Sequence, residues 1–253
     1  MRIIAPLACS LIVAASSVFA DEAAPSQPPS SIPAPANYTD AKPAFQLQPY
    51  SARYSSEYDF GWFSFDIDAE RTLRQENDGS WSMVFEAEAS AGSIRETTHF
   101  QLEDGQIHPL KYTYDASGLI QEDDQRLLFD YDQRTVLDQK KGRSFADKWQ
   151  DDLQDKLSYM QQISIDLANG KRTLDYPVFE KHRVKQYTFE IVAEEQLNTQ
   201  IGKLDTLKLK QKRSDNREIV AWVAKDKDYL LVRLVDRKKG KKRYQIDLVS
   251  TTL

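Results

Sequence analysis

The chain has 253 residues, with 34 Lys and Arg set against 39 Asp and Glu, for a net charge of −5. That balance argues against a nucleic-acid partner, because phosphate binding needs a basic surface. The single cysteine, Cys9, leaves no pair for an internal disulfide.

Residues 1–20 read as a secretory signal. Arg2 supplies the positive charge, Ile3 to Phe19 form an apolar run diluted by Pro6 and serines, and Val18-Phe19-Ala20 completes a cleavage site before Asp21. The run is too short for a transmembrane span, which takes roughly 20 apolar residues. No later stretch comes close, so the mature chain is expected to be soluble and periplasmic, without a transmembrane span. Pro6-Leu7-Ala8-Cys9 faintly resembles a lipid-attachment motif, but the better cleavage site lies downstream. Cleavage after Ala20 removes Arg2 and Cys9. It leaves 233 residues with 33 basic and 39 acidic side chains, a net charge of −6, and no thiol for catalysis or metal binding.

Residues 21–46 hold Pro25, Pro28, Pro29, Pro33, Pro35 and Pro43 among Ala, Ser and Gln. Such a segment has little to bury and favours extended conformations, so a disordered arm is expected. From there to residue 253 one β-domain is expected. Phe63, Phe65, Ile67 and Ala69 alternate with Ser64, Asp66, Asp68 and Glu70. Trp81, Met83, Phe85, Ala87 and Ala89 repeat the pattern, as do Tyr187, Phe189, Ile191 and Ala193, and then Tyr244, Ile246 and Leu248. A period of two puts one face of each strand on a core and the other in water, the mark of antiparallel sheet. Asn77-Asp78-Gly79, Glu103-Asp104-Gly105, Lys141-Gly142, Ser214-Asp215-Asn216 and Lys239-Gly240 supply the turns. The expectation is an all-β, mainly antiparallel fold: a curved sheet, half-barrel or closed barrel of about 11–12 strands.

Residues 151–168 break the alternation. Leu153, Leu157, Met160, Ile163 or Ser164, and Leu167 share one helical face. Asp147, Asp151 and Asp152 sit near the expected start, where negative charge is favoured, and Asn169-Gly170 supplies a stop. One amphipathic helix is therefore expected, covering an opening or the concave face of the sheet.

The second half of the chain carries a resemblance. Asp155-Lys156-Leu157-Ser158, Leu167-Ala168-Asn169-Gly170, Tyr187-Thr188-Phe189-Glu190-Ile191, the run from Gly202 to Leu209, Ala221-Trp222-Val223 and the run from Tyr229 to Leu234 follow in that order. The series resembles an exported bacterial family catalogued as domain of unknown function 3108, over roughly residues 48–250. The resemblance implies an exported β-rich fold and no catalytic residues.

Chemistry-bearing motifs are scarce. His99, His108 and His182 form no zinc-binding pair, and there is no nucleophile elbow, phosphate loop, dinucleotide fingerprint or calcium loop, so no cofactor or metal is expected. Asp66 with Asp68, and Glu86 with Glu88, share strand faces and suit either a solvated face or a pair of glycosidase acids. The acidic Glu122-Asp123-Asp124 and the basic cluster from Arg237 to Arg243 fall near expected turns. The aromatic residues are more suggestive, because a barrel of this size can enclose more space than side chains fill. Candidate cavity positions are Phe63, Phe65, Trp81, Phe85, Tyr112, Tyr187 and Phe189. Candidate lid positions are Trp149, Leu153, Leu157 and Met160.

The resulting functional expectation is a non-enzymatic periplasmic carrier for a lipid, an acylated segment or another apolar envelope ligand. Two alternatives stand beside it: a scaffold for an envelope complex, and a carboxylate-dependent enzyme on an envelope polymer. An outer-membrane barrel fits poorly, because the polar strand faces are densely charged and the chain ends Ser250-Thr251-Thr252-Leu253 without an aromatic.

Overall fold

A computed structural model describes residues 45–253 apart from 61, 62, 91, 119, 121 and 215; the side chains of 57–60, 63–65, 212 and 214 also lie outside the description. The expected signal and most of the proline-rich arm lie outside the described residues.

The alternating runs become strands: β1 (Tyr50–Phe60), β2 (Phe63–Gln75), β3 (Trp81–Ala89), β4 (Gly92–Glu103), β5 (Gln106–Ala116), β6 (Gln125–Asp130), β7 (Thr135–Asp138) and β8 (Arg143–Ser144). After a short 3-10 turn and the helix α1 (Ser158–Ala168) come β9 (Leu174–Glu180), β10 (Arg183–Thr199), β11 (Gly202–Ser214), β12 (Arg217–Ala224), β13 (Leu230–Lys238) and β14 (Lys241–Thr251). Fourteen strands exceed the expected eleven or twelve, since β7 and β8, of four and two residues, are too short for alternation to show.

The strands form one antiparallel sheet in the order β8-β7-β6-β5-β4-β3-β2-β1-β14-β13-β12-β11-β10-β9. Two up-and-down meanders, β1–β8 and β9–β14, are thus joined along β1 and β14, where Tyr54 faces Leu248. Glycine permits the close approach of the start of β4 to the segment after β5: a Cβ on Gly92 would overlap the Ser117 carbonyl oxygen.

The barrel does not close through backbone pairing, because β8 and β9 do not pair with each other. Side chains bring the two edges together instead. Asp138 of β7 meets His182 of the β9–β10 turn at 2.7 Å. Phe145, just past β8, stacks on His182 and packs edge-on against Phe179 of β9. Lys181 pairs with Glu122, and Lys140 and Lys141 pair with Asp124 and Asp123. The acidic trio is therefore occupied by lysines. An edge only two residues long offers little template for a further strand.

Strand β12 is buried on both faces, with residues 220–224 all shielded. Ala221 and Val223 face the interior. Trp222 lies on the other side beneath the β10–β11 hairpin, where its Nε1 donates to Glu195 at 2.6 Å and Lys208 sits 5.0 Å from its ring. Strand β10 touches β14 although three strands separate them in the sheet, so the hairpin folds back over the outer face. This is why Ile219-Val220-Ala221-Trp222-Val223-Ala224 reads as an unbroken apolar run.

Helix α1 begins at Ser158, not near residue 151. Gln154 adds instead a short parallel bridge to Val178: its N–H donates to Pro177 and its carbonyl accepts from Phe179. Asp155 holds the turn that leads into the helix. Its Oδ1 accepts from the N–H groups of Leu157 and Ser158, while Ser158 Oγ accepts from the N–H of Asp155. The reciprocal bonds are like those of a capping box, set two residues ahead of the N-cap Leu157. Asp147, Asp151 and Asp152 lie outside the first turn, which contains no acid. At the other end Gly170, with φ of +83°, lets the chain leave through bonds back to Leu167 and Asp166.

The helix is also more deeply buried than amphipathic patterning suggests. Its polar residues Gln161, Gln162, Ser164 and Asp166 are all buried. Gln162 accepts from the Ile107 N–H at 2.7 Å and donates to the Gly105 carbonyl at 2.9 Å. Tyr50 donates to Gln161, Tyr176 and Lys171 donate to Asp166, and Ser164 donates to the Tyr229 carbonyl. Each such group left unpaired would cost about 1–3 kcal/mol. The helix fills the interior as a hydrogen-bonded plug.

Candidate functional site

The interior has two unlike halves. On the β1–β8 side, Phe100, Tyr112, Tyr114, Met83, Leu73 and Ile107 pack into a dense, fully buried cluster. On the β9–β13 side the inward positions carry mostly aliphatic residues, and a slot remains between them and α1. Phe189, Leu209, Ala221, Val223, Leu231 and Leu234 form its wall on the sheet, joined by Gln211, Ile219 and Tyr229. Tyr159, Met160, Ile163 and Ser164 form its wall on the helix. The unfilled cavity is about 60 Å³. A single water needs about 10–15 Å³ by this measure, so the space holds a few small groups as it stands.

Arg71 of β2 also lines the slot. It follows Ile67 and Ala69 in the inward register of its strand, pairs with Ala52, and is 4% exposed. Its guanidinium lies 5.5 Å from the Tyr50 ring and 5.8 Å from the Tyr54 ring. Burial pushes both phenols above the ordinary tyrosine range, so they stay neutral. Both hydroxyl protons are directed elsewhere, Tyr50 to Gln161 and Tyr54 to the Leu231 carbonyl. Arg71 Nε has no hydrogen-bond partner, and no ion pair joins Arg71 to a carboxylate among the described residues.

The expected cavity residues are distributed unevenly over this interior. Met160 and Phe189 line the slot. Tyr187 lies next to it, edge-on to Tyr159 at 5.1 Å, and donates to Glu180. Trp81 and Tyr112 are built into the dense half, with Phe85 half-buried against it. Tyr112 donates to Glu96 at 2.5 Å, and burial holds the Glu96 carboxyl above its ordinary range although Lys156 opposes it. Leu153 and Leu157 are core residues of that half. Trp149 is half-buried near the seam, edge-on to Tyr131 at 4.8 Å, and donates to Asp151. Phe63 and Phe65 belong to β2, and their side chains lie outside the description.

The aromatic criterion missed Arg71 and the aliphatic wall. A signal for Arg71 was present: it is a cation in the inward register, between Ala69 and Leu73. The wall residues carry no signal of their own, because a core aliphatic and a cavity aliphatic look identical in sequence.

Asp66, Asp68, Glu86 and Glu88 are all exposed on the outer face. Asp68 stands directly across from Glu88, and Glu86 pairs with Arg95. They border hollows open to solvent, Asp68, Glu86 and Glu88 around one and Asp66 with Asp68 around another. Of the histidines, His182 belongs to the seam and His108 packs edge-on against Tyr131.

Open sheet, internal helix and side-chain seam together define an incompletely closed, barrel-like antiparallel β-protein. The chain belongs to the family described as Protein of unknown function (DUF3108), whose model matches residues 49–247. No curated protein matches. Among solved structures, a β-barrel-like protein of domain of unknown function 1849 from Brucella abortus is similar in fold, with a TM-score of 0.53 and 10% identity over 81% of this chain and 98% of that one. A DUF1329 family protein from Desulfovibrio piger aligns over 81% of this chain and 85% of its own at 12% identity, with a TM-score of 0.27, which does not reach a common fold. Among the described residues, no helix is long and apolar enough to cross a membrane.

Proposed function

We propose that this protein is a non-enzymatic carrier that holds an apolar chain between α1 and the inner face of β10–β13, and that it works in the periplasm after residues 1–20 are removed. The observation that carries this reading is the slot itself. It is lined mostly by aliphatic and aromatic side chains, and it is left incompletely filled in an otherwise close-packed interior. Tyr159 and Met160, both half-buried, stand on its helix wall, and in this reading they swing aside to admit the ligand. A chain longer than the present cavity enters by that movement, not by displacing the helix, whose polar side is tied to β1 and β5. The scaffold alternative has less support: among the described residues the only large hydrophobic side chain on the surface is Val192, at 45% exposure.

The test is direct. Organic extraction of the purified protein should release a lipid in roughly equal molar amount, and the emptied protein should take up a fluorescent long-chain fatty acid saturably. A lipid-free extract together with no uptake would remove the carrier reading.

A further inference from the structure

We propose that Arg71 selects the head of the ligand, so that the slot takes a single-chain amphiphile with an anionic head, carboxylate or phosphate, seated on the Arg71 guanidinium. The inference rests on the carrier reading and adds the chemical class of the ligand.

Arginine keeps its charge in proteins, so burial cannot be relieved by losing a proton. Buried charges are as a rule paired, because desolvation costs several kcal/mol per ion after relaxation. Arg71 is buried with no carboxylate in reach among the described residues, and the Tyr50 hydroxyl is its hydrogen-bonding neighbour. The two tyrosine rings offer cation–π attraction, worth about 2 kcal/mol or more when desolvated, which offsets part of that cost. Nε remains without a partner. An arginine serving only as core filler would be replaced at lower cost by Met or Leu of similar volume.

Arg71 stands on β2, at the border of the dense half, and contributes to the wall of the apolar slot. A planar guanidinium is suited to carboxylate and phosphate oxygens, through charge-assisted hydrogen bonds that are strong in a dry site. The aliphatic wall of Leu209, Ala221, Val223 and Leu231 then takes the hydrocarbon. One cation at a greasy slot is the complement of one anion on a greasy chain. A neutral acylglycerol would leave the charge unanswered.

The experiment compares ligands of one chain length on the purified, delipidated protein: a fatty acid, its methyl ester, and the corresponding alkyl phosphate. Each is measured by displacement of a fluorescent fatty-acid analogue and by ligand-induced rise in melting temperature. Wild type is expected to bind acid and phosphate at least roughly tenfold more tightly than the ester. The ratio of acid to phosphate distinguishes a free fatty acid from a lysophospholipid-type source. Arg71→Met should bind all three within about threefold of one another, at the level of the ester on wild type, and Arg71→Lys should keep part of the preference. Equal binding of acid and ester by wild type overturns the role of Arg71 and leaves the carrier reading standing, without needing any variant to fold. Binding of none of the three overturns both.

Discussion

The two halves of the interior are built from the same alternating strands yet solve different problems. In the β1–β8 half, aromatic and sulfur side chains fill the space, and the polar side of α1 is locked to it through Gln161, Gln162 and Asp155. In the β9–β13 half the inward residues are mostly aliphatic, and α1 meets them through Tyr159, Met160 and Ile163, with hydrogen bonds only at the margins, from Ser164 to the Tyr229 carbonyl and from Tyr176 to Asp166. Dense packing and buried hydrogen bonds hold the helix most firmly on the β1–β8 side, which allows the middle of the other side to stay unfilled. A cavity in a small core is destabilising in itself, so the locked half must supply the rigidity that keeps the slot from collapsing.

That contrast fails or sharpens under four measurements. Leu157→Asp places a charge in the dense cluster at the start of α1, where Leu157 is fully buried. We expect a loss of about 3–5 kcal/mol in urea unfolding. A loss under about 1 kcal/mol would mean that the helix is not anchored on this side.

Asp155 gives a pH signature of the same lock. Burial pushes its carboxyl up to about 6, against the opposing pull of Thr98 and the Leu157 and Ser158 N–H groups. The folded state therefore holds the proton more tightly than the unfolded chain, whose aspartate sits near 3.9. Stability from this group is fully present below about pH 4 and is lost as pH rises through about 6, a change of roughly 3 kcal/mol. Asp155→Asn should remove that slope, so wild type and variant diverge between those two limits. Parallel stability profiles across the window would refute the assignment.

Gln162→Ala strips partners from the Ile107 N–H and the Gly105 carbonyl. The expected cost is about 1–3 kcal/mol, read as a lower urea midpoint with unchanged slope. Ala221→Leu is the counterpart in the slot half. It adds methyl groups where space is already open, so stability should change by less than about 1 kcal/mol while uptake of the fluorescent fatty acid falls severalfold. If Ala221→Leu were as damaging as Gln162→Ala, the β9–β13 half would be as tightly packed as the β1–β8 half.

Alternation in residues 63–69, 81–89 and 244–248 is enough to specify antiparallel strands and their inward faces, because the period of two is a local property of extended backbone. The glycine-containing turns and one helix ending at Asn169-Gly170 are legible for the same reason. The start of α1 is not, because Gln154 is drawn into a bridge with Val178, a partner more than twenty residues away.

Local pattern is thus enough for the β-class, the strand faces, the turns and the existence of the helix. The tertiary structure decided that the sheet stays open with Phe145, His182 and Asp138 at its seam, that the polar side of the helix is satisfied inside the protein, and that the unfilled space falls beside β10–β13. Those outcomes depend on how volumes and hydrogen-bonding groups from distant segments meet, and no local pattern encodes whether a given inward Leu or Arg will find a neighbour to fill the space or neutralise the charge beside it.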